Sequence, residues 1–475
     1  MLNDKPTLIG RGTYSRIYKH TLQNGEISAV KIYHDKINPS ILREIHCLHI
    51  TKKCKHIIDI WGVVEDSDMK IQLFLEYNDM DLHRFIKEIK IEERILYLND
   101  VLKQTLIGLN YLYENNIIHR DIKPSNIIVN YSSGVVPTFN ICDFGLSCIF
   151  IDKYELRDID IYTVEYRAPE ILAKNNKYSH NADIWALGMT IVEYICGKPL
   201  INCIKCQSRS YVLNEIFKLL AYPLRYNTYN ITAIKYGNII NHIDVDQVFK
   251  NKLSSTHYNL ISENHTSVLS EMLSVNMYQR PYVNTLVKSM NLPMMTKPDF
   301  IKRGSIKTGS VINTELYYHN IESIIDFAIQ NNINSNIIIL SIDLLERYLA
   351  NYCIIDINDI KLIFCICYSI SVDMLEESQT YTYYIDTLNG QYTECEFTKM
   401  KIQMIKQFDC LLFYDEINVY VSEINHYNYR NTILKDIYST INNMGKYTGE
   451  MLYEEIIDIF NQHISPKYDK INKTI

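Results

Sequence analysis

Polar residues break two apolar runs at His119-Arg120-Asp121-Ile122-Lys123-Pro124-Ser125-Asn126 and again at Asp143-Phe144-Gly145. Asp121 precedes Asn126 by five residues, with Lys123 between them. A carboxylate that orients an attacking hydroxyl, oxygen ligands for a divalent cation and a cation for developing charge are the parts phosphoryl transfer requires. A helix end, a turn at Lys123–Asn126 or a capped hairpin would explain any one fragment. The order His-Arg-Asp, Lys, Asn, Asp-Phe-Gly, taken as a whole, points to the chemistry.

The elements that must position these groups lie upstream. Residues 6 to about 32 read as strand, Gly-rich turn, strand, with Gly10 and Gly12 in the turn and Ala29-Val30-Lys31 in the second strand. Glycines there let a backbone approach phosphate oxygens, since no Cβ intervenes. Residues 38 to 50 read as a helix: Asn38 or Ser40 can cap it, Pro39 suits its first turn, and Ile41, Ile45 and Leu48 share one face. Glu44 projects from this helix and can pair with Lys31, since a buried lysine needs a carboxylate to stay charged and fixed.

These motifs resemble the catalytic core of eukaryotic protein kinases over residues 5 to 296. The helix Pro39-Ser40-Ile41-Leu42-Arg43-Glu44 is similar to that of the cyclin-dependent group, one residue shorter. So is the twenty-five-position stretch from Asp143 to Ala168, which ends Thr163-Val164-Glu165-Tyr166-Arg167-Ala168-Pro169-Glu170. The resemblance implies a bilobal α+β fold, with a β-rich lobe at about 5–76 and a helical lobe at about 79–296. It implies ATP and Mg2+, with protein Ser/Thr side chains as acceptors. Asp121, Lys123 and Thr163 would be catalytic, and Asn126 and Asp143 would hold the metal. Gly10, Gly12, Ile17, Ala29, Lys31, Glu44, Glu76 and Asn78 would line the nucleotide site, the last two through hinge backbone. Glu170, Asp183 and Arg280 would be structural. Arg167 matches the arginine that accompanies proline-directed specificity, although Glu165 replaces the family's tryptophan.

Regulation is implied as well. Thr13 and Tyr14 match an inhibitory phosphorylation pair. The activating phosphothreonine position holds Asp158, and of the three arginines that gather there Arg43 and Arg120 remain while the third falls at Cys148. A carboxylate carries less charge than a phosphate, so the segment is expected to stay open without a phosphorylation switch.

The chain has 475 residues, 47% hydrophobic and 22% charged, with net charge −7 and pI about 6.1. Its length calls for two or more domains, and its charge gives no global attraction to nucleic acid or an anionic membrane, so neither is expected as a partner. Neither a signal peptide nor an apolar run long enough to span a membrane is read. An intracellular, cytoplasmic or nuclear protein with reduced thiols is expected. Cys203 and Cys206 form a lone Cys-x-x-Cys pair with no second pair to complete a zinc site.

Residues 297–312 read as a linker. Beyond them, helical segments Ile337–Ala350, Lys361–Glu377 and Phe397–Asp409 are similar to one cyclin box, placed at 313–430, with a helical tail at 431–475 containing a helix at Tyr447–Phe460. A generic helical extension is the alternative. Met374 and Lys401 stand where cyclins carry the lysine and glutamate that grip a kinase helix. The resemblance implies a kinase regulated in cis by its own cyclin-like domain, with another kinase or cyclin in trans as further partners. The competing reading is a catalytically weak scaffold that recruits another kinase or a substrate.

Overall fold

The computed structural model describes residues 6–293, apart from positions 13, 23, 37, 53, 67–69, 132–134, 150–161, 204–207 and 240. Further along it describes 357–375, 393–407 and single positions between 337 and 348. The chain divides into two compact units, Met1–Pro298 and Asp299–Ile475. Thr13, Asp158, Cys206, the linker, the tail and Tyr447–Phe460 fall outside the described residues.

The first unit opens with a five-stranded antiparallel sheet in the order β1-β2-β3-β5-β4. Its strands are β1 (Thr7–Arg11), β2 (Ser15–Thr21), β3 (Ile27–Lys36), β4 (Ile60–Glu65) and β5 (Lys70–Glu76). Strict alternation in β5 turns Ile71, Leu73 and Leu75 inward. Helix α1 (Pro39–Thr51) connects β3 to β4. Of the two candidate caps, Asn38 is the one used: its side chain accepts from Ile41 N at 3.1 Å, with Pro39 in the first turn. Strand β4 begins at Ile60. Just before it, the backbone around Ile57 bridges to the large lobe: Ile58 N donates to Ile141 O at 2.9 Å and Ile141 N donates to His56 O at 3.0 Å.

β6 (Met80–Asp81) then leads to the helices α2 (Leu82–Glu88), α3 (Ile91–Leu96) and α4 (Leu98–Glu114). β7 (Ile117–Ile118), β8 (Ile127–Asn130), β9 (Thr138–Ile141) and β10 (Cys148–Ile149) follow. Behind them stand α5 (Pro169–Leu172) and α6 (Asn181–Cys196), the latter buried from Asn181 to Ile195. The lobe continues through α7 (Arg209–Leu219), α8 (Thr228–Lys235), α9 (Val245–Lys252), α10 (Ser255–Tyr258), α11 (Glu263–Met272) and α12 (Val283–Ser289). Gly188 lets α6 close on the end of α11, because a Cβ there would stand 2.9 Å from Leu273 Cδ2. Glu170 and Arg280 form a bidentate pair at 2.9 and 3.0 Å with almost no exposure.

In the second unit α13 (Ile357–Leu375) is buried on every face from Leu362 to Met374, as a central helix of a bundle must be. It begins four residues before the expected start. It packs on α14 (Glu394–Gln407), whose N-terminus is a capping box: Thr393 N and Oγ1 donate to Glu396, and Glu396 N donates to Thr393 Oγ1. Ser369 and Asp373, four apart on α13, receive Lys401 Nζ, and that lysine has no exposure. Met374 is likewise buried.

Candidate phosphoryl-transfer site

The β8–β9 pairing sets Ile127 opposite Ile141, so beyond its open end Asn126 stands opposite Cys142, with Asp143 the next residue along. Cys142 N donates to Asn126 O at 2.9 Å and fixes that juncture. Two non-glycine residues adopt left-handed backbone here, Arg120 at φ 67° and Asp143 at φ 66°. Such conformations cost about 1–2 kcal/mol each and persist only where neighbours enforce them. Asp183 supplies that enforcement at Arg120: from buried α6 its carboxylate accepts from His119 N at 2.7 Å and Arg120 N at 2.9 Å. Burial pushes the Asp183 carboxyl up, against the pull of His119 and the backbone bonds. His119 packs edge-on against buried Phe144, while its Nε2 reaches Cys142 O and its Nδ1 meets Asp121 N. Its ring is committed to structure.

Asp121 is the hub. Its Oδ2 accepts from Lys123 Nζ at 2.7 Å and Asn126 Nδ2 at 2.8 Å. Its Oδ1 accepts from Thr163 Oγ1 at 2.9 Å and Thr163 N at 3.1 Å, and Lys123 Nζ also donates to Thr163 Oγ1 at 2.8 Å. With Nδ2 of Asn126 committed to Asp121, its Oδ1 remains for a cation.

Lys31 reaches the same centre from β3. Its Nζ lies 2.6 and 2.8 Å from the Glu44 carboxylate and 2.8 Å from Asp143 Oδ1. Burial alone would lower the Lys31 ammonium, but Asp143 and Glu44 outweigh it and hold it well above the usual lysine range. Lys31 in turn holds Asp143 down to about 2, and the Asp143 side chain is half-open to the cleft. Burial pushes Glu44 up against the pull of Lys31. Tyr33, which the motif reading passes over, donates from its hydroxyl to Glu44 Oε2 at 2.6 Å. It stands two residues beyond Lys31 on the same strand face, a spacing that by itself does not give its distance from Glu44.

The nucleotide-side positions are brought together across the three neighbouring strands β1, β2 and β3. Ile17 pairs with Lys31 and with Gly10, and Ala29 is buried two residues before Lys31. A Cβ at Gly10 or Gly12 would meet its nearest neighbour at 3.5–3.6 Å, an ordinary contact. The protein's own packing therefore does not require these glycines, and the room they leave suits an approaching ligand. Tyr14, at the tip of the turn, is 64% exposed. At the hinge, Glu76 N–H is committed to Asp59 O at 2.9 Å, which narrows the expectation for Glu76 to its carbonyl. Both amide atoms of the Asn78 side chain are buried and find no partner among the described residues.

The donor set fits magnesium, which takes few protein oxygens and completes its shell with phosphates and water. Among the described residues, no cluster of three or more His, Cys, Asp or Glu side chains forms an all-protein metal cage.

Arg120 buries its guanidinium against the carbonyls of Leu146 and Ser147 and the Tyr178 hydroxyl. Arg43 is buried on α1. Lys401, aligned in the sequence reading with a partner-gripping glutamate, pairs inward with Asp373. Among the described residues, no helix is long and apolar enough to cross a membrane.

Comparison with known proteins matches the protein kinase domain to residues 4–291. A cyclin-dependent kinase 4 homolog of Caenorhabditis elegans is 31% identical over 229 residues, 46% of this chain and 54% of that protein. Cyclin-dependent kinase E-1 of Arabidopsis thaliana is 29% identical over 292 residues, 56% of this chain and 60% of its own length. The chain thus spans little more than half the length of these curated relatives. Among solved structures, a chain of the CAK complex from Chaetomium thermophilum, bound to ATP-gamma-S, superposes with a TM-score of 0.49 at 21% identity, covering 59% of this chain and 88% of that one. With its kinase-domain match extending over more than half of its length, the chain belongs to the protein kinase domain family.

Proposed function

We propose that the protein is an ATP-dependent serine/threonine protein kinase of the cyclin-dependent type. The observation that carries the reading is the occupancy of Asp121: one carboxylate oxygen holds Lys123 and Asn126 while the other meets a threonine hydroxyl. That second oxygen is the acceptor a substrate hydroxyl needs. Asp121 orients the attacking hydroxyl and takes its proton, within hydrogen-bond reach. Lys123, beside it, offsets charge on the transferring group. Lys31, fixed by Glu44, is placed for the α- and β-phosphates, and Asn126 with Asp143 would hold magnesium. When bound, that ion neutralises charge on the β- and γ-oxygens. Phosphoamino-acid analysis of a generic protein substrate treated with γ-labelled ATP is expected to show phosphoserine and phosphothreonine. Label confined to phosphotyrosine would overturn the acceptor assignment.

The helical unit is proposed to regulate this site in cis as a cyclin-like domain. Support comes from the centrally buried α13 and its packing on α14, and from the names of the curated relatives. Tethering supplies an effective concentration of about a millimolar, so a weak interface is enough. Activity of residues 1–300, checked for folding by thermal melting, should fall well below that of the full chain. Equal activity would remove the regulatory role.

A further inference from the structure

Glu44 is held by more than its lysine. Lys31 and Tyr33, two apart on β3, share one face of the sheet and both reach Glu44 on α1. The Tyr33 hydroxyl reaches Glu44 Oε2 at 2.6 Å, the Tyr33 residue is 4% exposed and Glu44 2%. Lys31 Nζ lies 5.4 Å from the centre of the Tyr33 ring, so ring, ammonium and carboxylate form one closed group. A second tie runs from the same helix: Ser40 Oγ donates to Gly145 O at 2.6 Å. The approach is close, since a Cβ on Gly145 would stand 3.3 Å from Ser40 Oγ and 3.5 Å from Glu44 Oε2.

We infer that Tyr33 is a positioning residue for phosphoryl transfer: its hydroxyl fixes the Glu44 carboxylate on Lys31 and so sets where the lysine stands between Glu44 and Asp143. The inference rests on the kinase reading proposed above. Lys31 is contested by two carboxylates at nearly equal distance. A Glu44 that swings away releases the ammonium to Asp143, which withdraws it from the phosphates and screens a metal ligand. The Tyr33 hydroxyl opposes that swing. Burial, then the neighbouring Glu44 charge, pushes the phenol well above its usual range, so it remains a donor throughout the working pH range. Ser40 complements it at the start of α1 by tying the helix to the Asp143-Phe144-Gly145 turn.

The test uses the full chain and the variants Tyr33→Phe, Glu44→Gln and the double variant. Phe keeps the ring and its packing, so the fold is preserved and one hydrogen bond to a charged group is lost, worth about tenfold or more. We expect Tyr33→Phe to lower kcat about tenfold with the ATP dissociation constant within about twofold of wild type. In the Glu44→Gln background the same change should cost much less, because the charge through which Tyr33 acts is gone and only a neutral amide oxygen remains to accept its hydroxyl. Backbone amide exchange of residues 39–51 should accelerate in Tyr33→Phe. If kcat is unchanged, or if the effects of Tyr33→Phe and Glu44→Gln multiply independently, the positioning role is wrong and Tyr33 is packing alone. If the wild-type chain transfers no phosphate, the kinase reading fails instead, and the exchange of α1 still decides whether Tyr33 holds Glu44.

Discussion

Two buried ion pairs in the first unit differ in a way that separates structure from chemistry. Arg280 meets Glu170 through both ends of its guanidinium, donates also to the carbonyls of Asn181 and Ser274, and lies over the Trp185 ring. Such a fork has one geometry, and every donor is engaged. Lys31 is a point charge shared between Glu44 and Asp143, and one of those partners is half-open to the cleft. It can pass part of its charge to an incoming phosphate without losing its anchor. A saturated arginine pair pins a lobe, and a shared lysine serves a ligand. In the second unit, Lys401 with Asp373 is fully enclosed and belongs on the structural side of that division.

The contrast can be broken from either end. Arg280→Ala removes one partner of a fully buried pair and is expected to destabilise the first unit by about 3–5 kcal/mol, read by chemical denaturation of the full chain. A loss below about 1 kcal/mol would mean that the pair pins nothing. Lys31→Met should act the other way round. Losing a preorganised charge lowers kcat by about a hundredfold to a thousandfold, while unfolding free energy falls by less than in Arg280→Ala. The Glu44 carboxyl, already pushed up by burial, can take up a proton once its cation is gone. Equal stability losses in the two variants would erase the distinction.

The smallest effect concerns acid. Asp143 titrates near 2 when folded, below the ordinary 3.8, so its pairing with Lys31 contributes stability above about pH 4 that is lost as pH falls towards 2. The stability difference between wild type and Asp143→Asn should therefore be flat from pH 7 to 5 and narrow below 4. A difference that already narrows between pH 7 and 5 would show that Asp143 is not held down by Lys31.

Much of this site is readable in linear form because short-range geometry dictates it. Asp121, Lys123 and Asn126 lie within six residues, and the β8–β9 register sets Asn126 opposite Cys142, next to Asp143. The Lys31–Glu44 pair is legible because helical spacing fixes which side of α1 faces the sheet. Tyr33 was not legible from motifs, because its role depends on the distance between a strand and a helix, which no spacing encodes. The engagement of Glu76 N–H by Asp59 O was hidden for the same reason, since it joins residues far apart in the chain just before β4 begins. In the helical unit, a helix was legible over 361–377, but nothing in the sequence foretold that Lys401 would turn inward to Asp373.

Transfer from γ-labelled ATP to a protein substrate by the full chain, measured beside Asp121→Asn with nucleotide binding followed in both, tests the central claim most directly. Asn keeps the shape of the side chain and removes the charge that accepts the hydroxyl proton. We expect measurable transfer by the wild type and a loss of about a hundredfold to ten-thousandfold in the variant, with ATP binding unchanged. A wild type that binds ATP but transfers nothing, or a variant as active as the wild type, would contradict the assignment of Asp121 as the group on which phosphoryl transfer turns.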